Sequence, residues 1–293
     1  MRTDARGYLL VLGAAALWST SGLFIRWTVA GSGFTPLSLA FWRDLTTFLC
    51  LLVGLALLRP RWLRVARRDL PWLVGLGAIG VGTFHVLWNL AILYIGYAAA
   101  TVLLYSSPAF VALVAWLIWK EPLTRVKMLA ILLTLAGCVL VAGPEEVVGI
   151  ELTASGLLIG LAAALAYGGF SLFGREVAPR YSPWMVLTYG FGFGALALLP
   201  LQFGRAGPWP AAGETWLWFG GLVLAATIVP FCAYLAALQR LPVSVASILA
   251  ASEVVFGAFI GYAFFAERLQ GWQFVGAALV VAGVALLVTR RKS

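Results

Sequence analysis

The chain has 293 residues, of which 62% are hydrophobic and only 11% are charged. Soluble proteins carry a charge on roughly a quarter of their residues, so this composition excludes an ordinary soluble globular domain. The net charge of +9 could indicate nucleic-acid binding, but the basic residues lie in short loops between long apolar stretches, which does not suit a nucleic-acid interface.

Ten apolar stretches, each long enough to cross about 30 Å of hydrocarbon, occupy nearly the whole chain. In chain order they are residues 7–29, 36–58, 71–94, 98–119, 126–142, 153–174, 183–203, 215–238, 243–265 and 270–289. The first has an apolar run longer than a typical signal-peptide core, so we interpret it as a membrane span. The three cysteines lie inside spans without metal-ligand spacing, and we expect no disulfide, metal or other cofactor.

Lysine and arginine residues are divided unequally between the two sides of the membrane when the loops are assigned alternately. Sixteen fall on the side of the termini, three fall on the opposite side, and Arg43 lies within a span. Cytoplasmic loops carry the excess of basic residues in membrane proteins, so both termini are predicted to be cytoplasmic. The basic loop 59–68 is expected to rest on anionic headgroups, with membrane lipid as its partner.

The two halves of the chain resemble each other. Residues 14–26 align with 163–175 at an offset of 149, and residues 101–123 align with 247–269 at an offset of 146. We therefore divide the chain into residues 1–145 and 150–293, with five spans each. Because five is an odd number, the second half enters the membrane from the opposite side. Such inverted repeats are typical of secondary transporters, whose substrate site lies near the middle of the membrane between the repeats.

Two turns with the sequences KEPL (Lys120–Leu123) and AERL (Ala266–Leu269) each precede a span with a late glycine, Gly137 or Gly283. In this respect the halves resemble paired EamA domains of the drug/metabolite transporter superfamily. Within that superfamily the chain is most similar to bacterial exporters of aromatic amino acids. The resemblance implies ten helices around a central cavity, located in a bacterial inner membrane and moving amphipathic metabolites out of the cytoplasm.

The third span contains the only histidine and the only asparagine of the chain, His85 and Asn89, on one helix face with Trp88. Polar groups facing lipid would be unsatisfied, so this face is expected to look into the bundle. Two interpretations are open: these residues bond neighbouring helices, or they contact the ammonium or carboxylate of a substrate beside Trp88. His85 could also carry a proton. We favour a polar contact, because no acidic residue lies on the same helix.

Aromatic residues recur at equivalent positions of the two halves. Trp18 aligns with Tyr167, and Trp88 aligns with Tyr234. Small or hydroxyl residues follow Trp18 and Tyr167, and these let a helix bend or a ligand approach its backbone. We expect the four aromatic residues to line the cavity.

The fourth span contains Tyr105 and Ser106 just before Pro108, which should bend the helix and serve as a hinge. In the ninth span, Ser252 aligns with Ser106, and Glu253 follows it. A carboxylate this deep in the membrane should be buried and partnered, either by neighbouring helices or by a substrate or proton. The resemblance implies a proline after this acid, so the valine that follows argues against a sharp kink there.

Arg43 and Asp44 are sequence neighbours in the second span. Adjacent residues point in different directions on a helix, so we predict no ion pair between them. Each should have a partner elsewhere. For Arg43 the open alternatives are the outer surface, the bundle and a carboxylate of the substrate.

Aromatic walls with a few polar groups suit a substrate with a ring at one end and a zwitterion at the other. The sequence therefore predicts a secondary transporter that exports amino acids, aromatic ones above all, or similar amphipathic small molecules by alternating access. A broad-specificity drug or metabolite exporter of the same fold is the alternative. No HExxH or GxSxG motif is present, so we do not expect an enzyme. We expect the transporter to be a monomer.

Overall fold

A computed structural model describes residues 5–143, 153–202, 213–265 and 270–289 of the chain. Within these residues all regular elements are helices, and ten helical segments are long and apolar enough to cross a membrane. We number these spans 1 to 10: Ala5–Ala30, Pro36–Leu58, Arg67–Tyr97, Ala99–Trp119, Arg125–Ala142, Ala154–Val177, Pro183–Gln202, Gly213–Leu238, Val243–Phe264 and Gly271–Thr289. The prediction of an all-α protein with ten spans is confirmed.

Several spans consist of more than one helix. Span 1 contains Ala5–Trp18 and Ser21–Ala30, and span 2 is the single helix Pro36–Leu58. Spans 3 to 5 contain Leu70–Val74, a π-helix Gly75–Thr83, Phe84–Leu104, Ser107–Trp119 and Arg125–Ala142. The element Phe84–Leu104 comprises two helices, because the backbone turns at Gly96 (φ 75°) between spans 3 and 4. The second half contains Ala154–Val177, Pro183–Leu198, Gly213–Val223, a π-helix Leu224–Ile228, Val229–Leu238, Val243–Ala250, Glu253–Phe265 and Gly271–Thr289. Short 3-10 helices cover Pro60–Leu63, Arg67–Asp69 and Leu199–Gln202.

Hydroxyl side chains start four of the spans. In span 2, Thr35 Oγ1 accepts a hydrogen bond from the Ser38 amide at 3.2 Å, and Pro36 occupies the first helical turn, where its missing N–H costs nothing. Thr124, Thr153 and Ser182 cap spans 5, 6 and 7 in the same way. These caps satisfy amides that would otherwise lie unbonded near the edge of the hydrocarbon.

The main helix contacts join one half of the chain to the other. Span 5 packs against span 10, span 2 against span 7, span 1 against span 8, span 3 against span 6, and span 4 against span 9. Spans 5 and 10 approach so closely that a methyl group on Gly137 would come within 2.5 Å of the Gly276 carbonyl oxygen. The two halves therefore form one interleaved bundle.

Irregular backbone occurs at equivalent positions of the two halves. Both span 3 and span 8 contain a π-helical stretch. Span 4 is interrupted at Tyr105–Ser106 and span 9 at Ala251–Ser252, and these two interruptions are related by the offset of 146 found in the sequence. Irregular backbone inside a membrane is tolerated where protein or a watered cavity satisfies it, so these positions point to the interior of the bundle.

Candidate functional site

The interruptions of spans 4 and 9 have different chemical causes. In span 4 the second helix begins at Ser107, directly before Pro108, and the Ser106 hydroxyl donates to the Leu103 carbonyl at 2.6 Å. Span 9 has no proline here but is interrupted as well, at Ala251–Ser252, where Ala251 keeps right-handed helical dihedral angles. Glu253 is the first residue of the second helix of span 9, where a negative charge is favoured by the helix dipole.

Glu253 places a carboxylate near the middle of span 9. Its side chain is partly exposed, and it lies within electrostatic range of the Tyr105 and Tyr167 hydroxyls. Among the residues that the structure describes, no hydrogen-bond donor or basic side chain is paired with it. A carboxylate inside a membrane that lacks a protein partner is a binding point for a cation or a proton.

Two further polar atoms close to this carboxylate also lack partners. The hydroxyl of the adjoining Ser252 is buried without a hydrogen bond in the described part of the chain, and the same holds for the Trp18 indole N–H. Trp18 ends the first helix of span 1, which packs against the helix Glu253–Phe265. Buried donors are almost always bonded in proteins, so these atoms indicate a place for water or a polar ligand.

On one side of this region the aromatic residues are tightly packed. The Trp18 ring lies 4.9 Å from the Phe231 ring and 5.3 Å from the Tyr234 ring. Tyr234 is almost fully buried, and its hydroxyl lies 2.7 Å from the Ser171 hydroxyl. In this conformation Trp18 and Tyr234 belong, with Phe231, to a tightly packed aromatic cluster, which we call the packed floor.

A second group of rings remains partly exposed. The Tyr167 ring lies 5.2 Å from Phe84, Phe84 is stacked at 6.3 Å on Trp88, and Trp88 lies 6.0 Å from Tyr97 in an edge-on contact. Tyr167, Phe84 and Trp88 are each partly exposed. Tyr167, like Tyr105, is within electrostatic range of Glu253, so this group of rings lies in the same part of the bundle as the carboxylate.

His85 belongs to a buried charge cluster with span 2, and this corrects the sequence interpretation of Arg43 and Asp44. Arg43 Nη2 lies 3.1 Å from Asp44 Oδ1, so the two neighbours do form an ion pair. The flexible arginine side chain turns back around the helix and compensates for the different directions of the two Cβ atoms. His85 Nδ1 lies 3.2 Å from Asp44 Oδ2, and Arg43 Nη2 contacts His85 Nε2. The acidic partner of His85 therefore comes from another helix.

The contacts of this cluster indicate which ring nitrogen of a neutral His85 carries the proton. A guanidinium can only donate, so the Nε2 atom that it contacts carries the lone pair, and the proton of a neutral ring is then on Nδ1, facing Asp44. Asn89 donates from its side chain to the His85 carbonyl at 2.7 Å. Asp44 is fully buried, while the Arg43 side chain is 13% exposed. The structure thus links His85 to span 2, while the hydrogen bond of Asn89 stays within its own helix.

At the end of the bundle that carries the basic loops, a network of hydrogen bonds and ion pairs joins the two halves. Glu121, from the turn after span 4, accepts a hydrogen bond from the Val243 amide at 3.2 Å and another from the Ser244 hydroxyl, so it caps the start of span 9. Lys127 lies 3.6 Å and Arg175 3.7 Å from the same carboxylate. In the sequence, Glu121 stands out only as part of the KEPL turn, so its capping of span 9 was not predicted.

A second part of the network joins span 3 to the turn between spans 6 and 7. The Tyr181 hydroxyl donates to Asp69 Oδ2 at 2.7 Å, and Arg180 pairs with Asp69 Oδ1. The Trp119 indole donates to Glu176 at 2.6 Å. These links join Asp69, Glu176 and Trp119 to elements of the other half or to the next turn.

A cavity of about 430 Å³ lies away from these residues, between spans 2 and 7. Its walls are Phe41, Leu45, Phe48, Tyr189, Gly192, Phe193, Ala195, Leu196 and Leu199. None of the residues predicted to bind substrate lines this cavity.

A solved crystal structure has the same architecture. The superposition has a TM-score of 0.81 and covers 98% of each chain, at 23% sequence identity. The sequence profile of the EamA-like transporter family matches this chain twice, over residues 5–143 and 154–289. The chain belongs to the EamA-like transporter family. The two matches fit the arrangement of two repeats that the self-alignment predicted.

Named relatives of this EamA-like protein are transporters. An uncharacterized transporter of Archaeoglobus fulgidus is 31% identical over 96% of this chain and 95% of its own length. The uncharacterized inner membrane transporter YicL of Salmonella typhimurium is 26% identical over 98% and 96%. A probable terminal-alkyne amino-acid exporter of Streptantibioticus cattleyicolor is 28% identical over 99% and 95%. The protein is a transporter, and its substrate has to be argued from the site.

Proposed function

We propose that this EamA-like protein exports zwitterionic amino acids with aromatic side chains, or similar amphipathic small molecules. The observation that carries the proposal is the carboxylate of Glu253 in the middle of span 9, which has no paired donor among the described residues and lies within electrostatic range of Tyr105 and Tyr167. A substrate ammonium would neutralise this charge and hydrogen-bond to it, which favours binding strongly where water is scarce. The amino-acid exporter among the relatives supports the same class of substrate.

The rest of such a substrate would lie along the exposed rings. An aromatic side chain can stack on Trp88 and Tyr167, and Ser106, one residue after Tyr105, places its hydroxyl nearby. The carboxylate of the substrate would be directed toward Arg43, whose side chain is 13% exposed and contacts His85. Trp18, Tyr234 and Ser252 would complete the site by closing its floor.

Transport requires the site to open alternately to the two sides of the membrane. We infer that the Glu121 and Asp69 links between the halves close the end with the basic loops in this conformation. We infer that rearrangement at the interruptions of spans 4 and 9, with Pro108 as one hinge, breaks these links and opens the site to that side.

The closed end is proposed to face the cytoplasm, because sixteen of the twenty basic residues lie at that end. A cysteine placed in the loop 59–66 of a chain lacking Cys50, Cys138 and Cys232 should react with an impermeant thiol reagent in inverted vesicles and not in intact cells. Labelling of this cysteine in intact cells would reverse the orientation.

The role of Glu121 can be tested with the native Cys232, which is buried in span 8 above the network. In a chain with the other two cysteines replaced, Glu121→Ala should accelerate labelling of Cys232 from the cytoplasmic side by about tenfold or more. The reason is that a hydrogen bond to a charged group contributes about 1.5–3 kcal/mol to the closed state. Glu214→Ala, which removes an exposed acid at the other end, is the control. Equal labelling in both folded variants would exclude Glu121 as part of a gate.

The proposed function is tested by efflux of labelled phenylalanine from proteoliposomes containing the purified protein. Efflux should be saturable, and Trp88→Ala should raise the half-saturating phenylalanine concentration about fivefold while changing that of alanine little, because stacking contributes about 1 kcal/mol. Trp116→Ala, at an exposed position of span 4, is the matched control. Equal losses for both amino acids would contradict the aromatic site. Equal competition by unrelated hydrophobic compounds would instead show a broad-specificity exporter.

A further inference from the structure

The cavity between spans 2 and 7 is an apolar groove on the side of the bundle. Apart from the Tyr189 hydroxyl, its lining side chains are hydrocarbon. Leu196 is 60% exposed on its rim, at a depth where lipid surrounds the helices. Gly192 keeps the groove open, since a methyl group there would lie 2.8 Å from the Phe48 ring. Such a groove matches the shape and chemistry of a lipid acyl chain.

The groove is connected to the basic loop 59–69. The Tyr189 hydroxyl, which lines the groove, donates to the Leu63 carbonyl at 2.9 Å. The loop is held in place at a second point, because its Ala66 amide donates to the Tyr181 hydroxyl at 3.1 Å. Arg61 and Arg64 flank Leu63 on both sides in sequence, so their charges are tethered near the cytoplasmic mouth of the groove.

The acid of this loop, Asp69, leaves most of the basic charge of the loop unpaired. Asp69 pairs with Arg68 at 3.8 Å and is also engaged by Arg180 and Tyr181 from the second half of the chain. Arg61 and Arg64 are exposed, and the described part of the chain provides neither with a carboxylate. An apolar groove joined to a loop with exposed guanidinium groups suits a ligand with a long hydrocarbon chain and an anionic head.

We propose that spans 2 and 7 bind an anionic phospholipid of the cytoplasmic leaflet, with one acyl chain in the groove and the phosphate at Arg61 and Arg64. Arginine suits a phosphate because its planar group can donate two parallel hydrogen bonds. The two spans belong to different halves of the chain, so the lipid would hold the halves together at this seam. The proposal does not depend on which substrate is transported.

The test is lipid binding to the purified full chain in detergent, followed by native mass spectrometry. Phosphatidylglycerol should bind on the order of tenfold more tightly than phosphatidylcholine with the same acyl chains, since each basic residue near an anionic surface contributes roughly 1 kcal/mol. This preference should be lost in Arg61→Gln/Arg64→Gln and kept in Arg6→Gln/Arg125→Gln, which removes two exposed arginines at the same end of the bundle.

The groove is tested separately by filling it. Leu196→Trp, or Leu196→Phe if the larger side chain prevents folding, should weaken phosphatidylglycerol binding at least fivefold. Leu132→Trp, at an equally exposed position of span 5, should not. Normal binding in a folded Leu196 variant would overturn the groove as the acyl-chain site. Equal losses in the two arginine pairs would show general surface attraction. Full displacement of the lipid by millimolar glycerol phosphate would show that the site takes a free phosphate, and would also overturn the proposal.

Discussion

Replacement of Glu253 by glutamine is expected to raise the half-saturating concentration of amino-acid substrates by about 10- to 100-fold. The carboxylate has no partner among the described residues, so the substrate ammonium would be its main counter-charge. A hydrogen bond to a charged group contributes about 1.5–3 kcal/mol, which corresponds to this range of affinity. The measurement is concentration-dependent efflux of labelled phenylalanine from proteoliposomes.

Two comparisons separate a binding role of Glu253 from other roles. Glu253→Asp keeps the charge and should retain part of the affinity, and Glu214→Gln, at an exposed position, should leave transport unchanged. Competition by 3-phenylpropionate, which lacks the ammonium group, should weaken far less in Glu253→Gln than competition by phenylalanine. If Glu253→Gln keeps its affinity and loses only the response to a pH gradient, the residue carries protons and does not bind the ammonium group.

Replacement of Asp44 by asparagine is expected to destabilise the protein by about 3–5 kcal/mol. Asp44 is fully buried and is the carboxylate that Arg43 and His85 share, so its removal leaves the arginine charge buried without a counter-charge. Thermal unfolding in detergent, followed by loss of the monodisperse peak on size-exclusion chromatography, should show a large decrease in the melting temperature.

The matched variant removes both charges. Arg43→Met/Asp44→Leu should be more stable than Asp44→Asn alone, because an apolar replacement of a whole buried pair costs less than an unpaired charge. His85→Gln keeps a hydrogen-bonding side chain and should have a smaller effect, with the pH response of transport unchanged. An Asp44→Asn protein that melts normally but does not transport would assign the cluster to substrate or proton binding.

The helices were predictable because a membrane imposes a length and a composition on each span. The third apolar stretch, for example, was placed at residues 71–94, and the structure has span 3 at Arg67–Tyr97. The repeat was equally visible, since the offset that aligns Ser106 with Ser252 also relates the two helix interruptions. The interruption of span 9 was not predicted, because its sequence contains no proline at this point; Glu253 stands in the first turn of the helix that follows.

Sequence alone determined the number of spans, the inverted repeat and the set of polar residues that must face the interior, because each of these follows from transfer of side chains and backbone into hydrocarbon. Which of these residues meet was decided only by the tertiary structure. Asp44 reaches His85 from another span, and Glu121 caps the start of span 9 across the two halves. Such pairings depend on the packing of helices far apart in the chain and on the reach of flexible side chains. The periodicity of residues along one helix reveals neither the packing of distant helices nor the reach of flexible side chains.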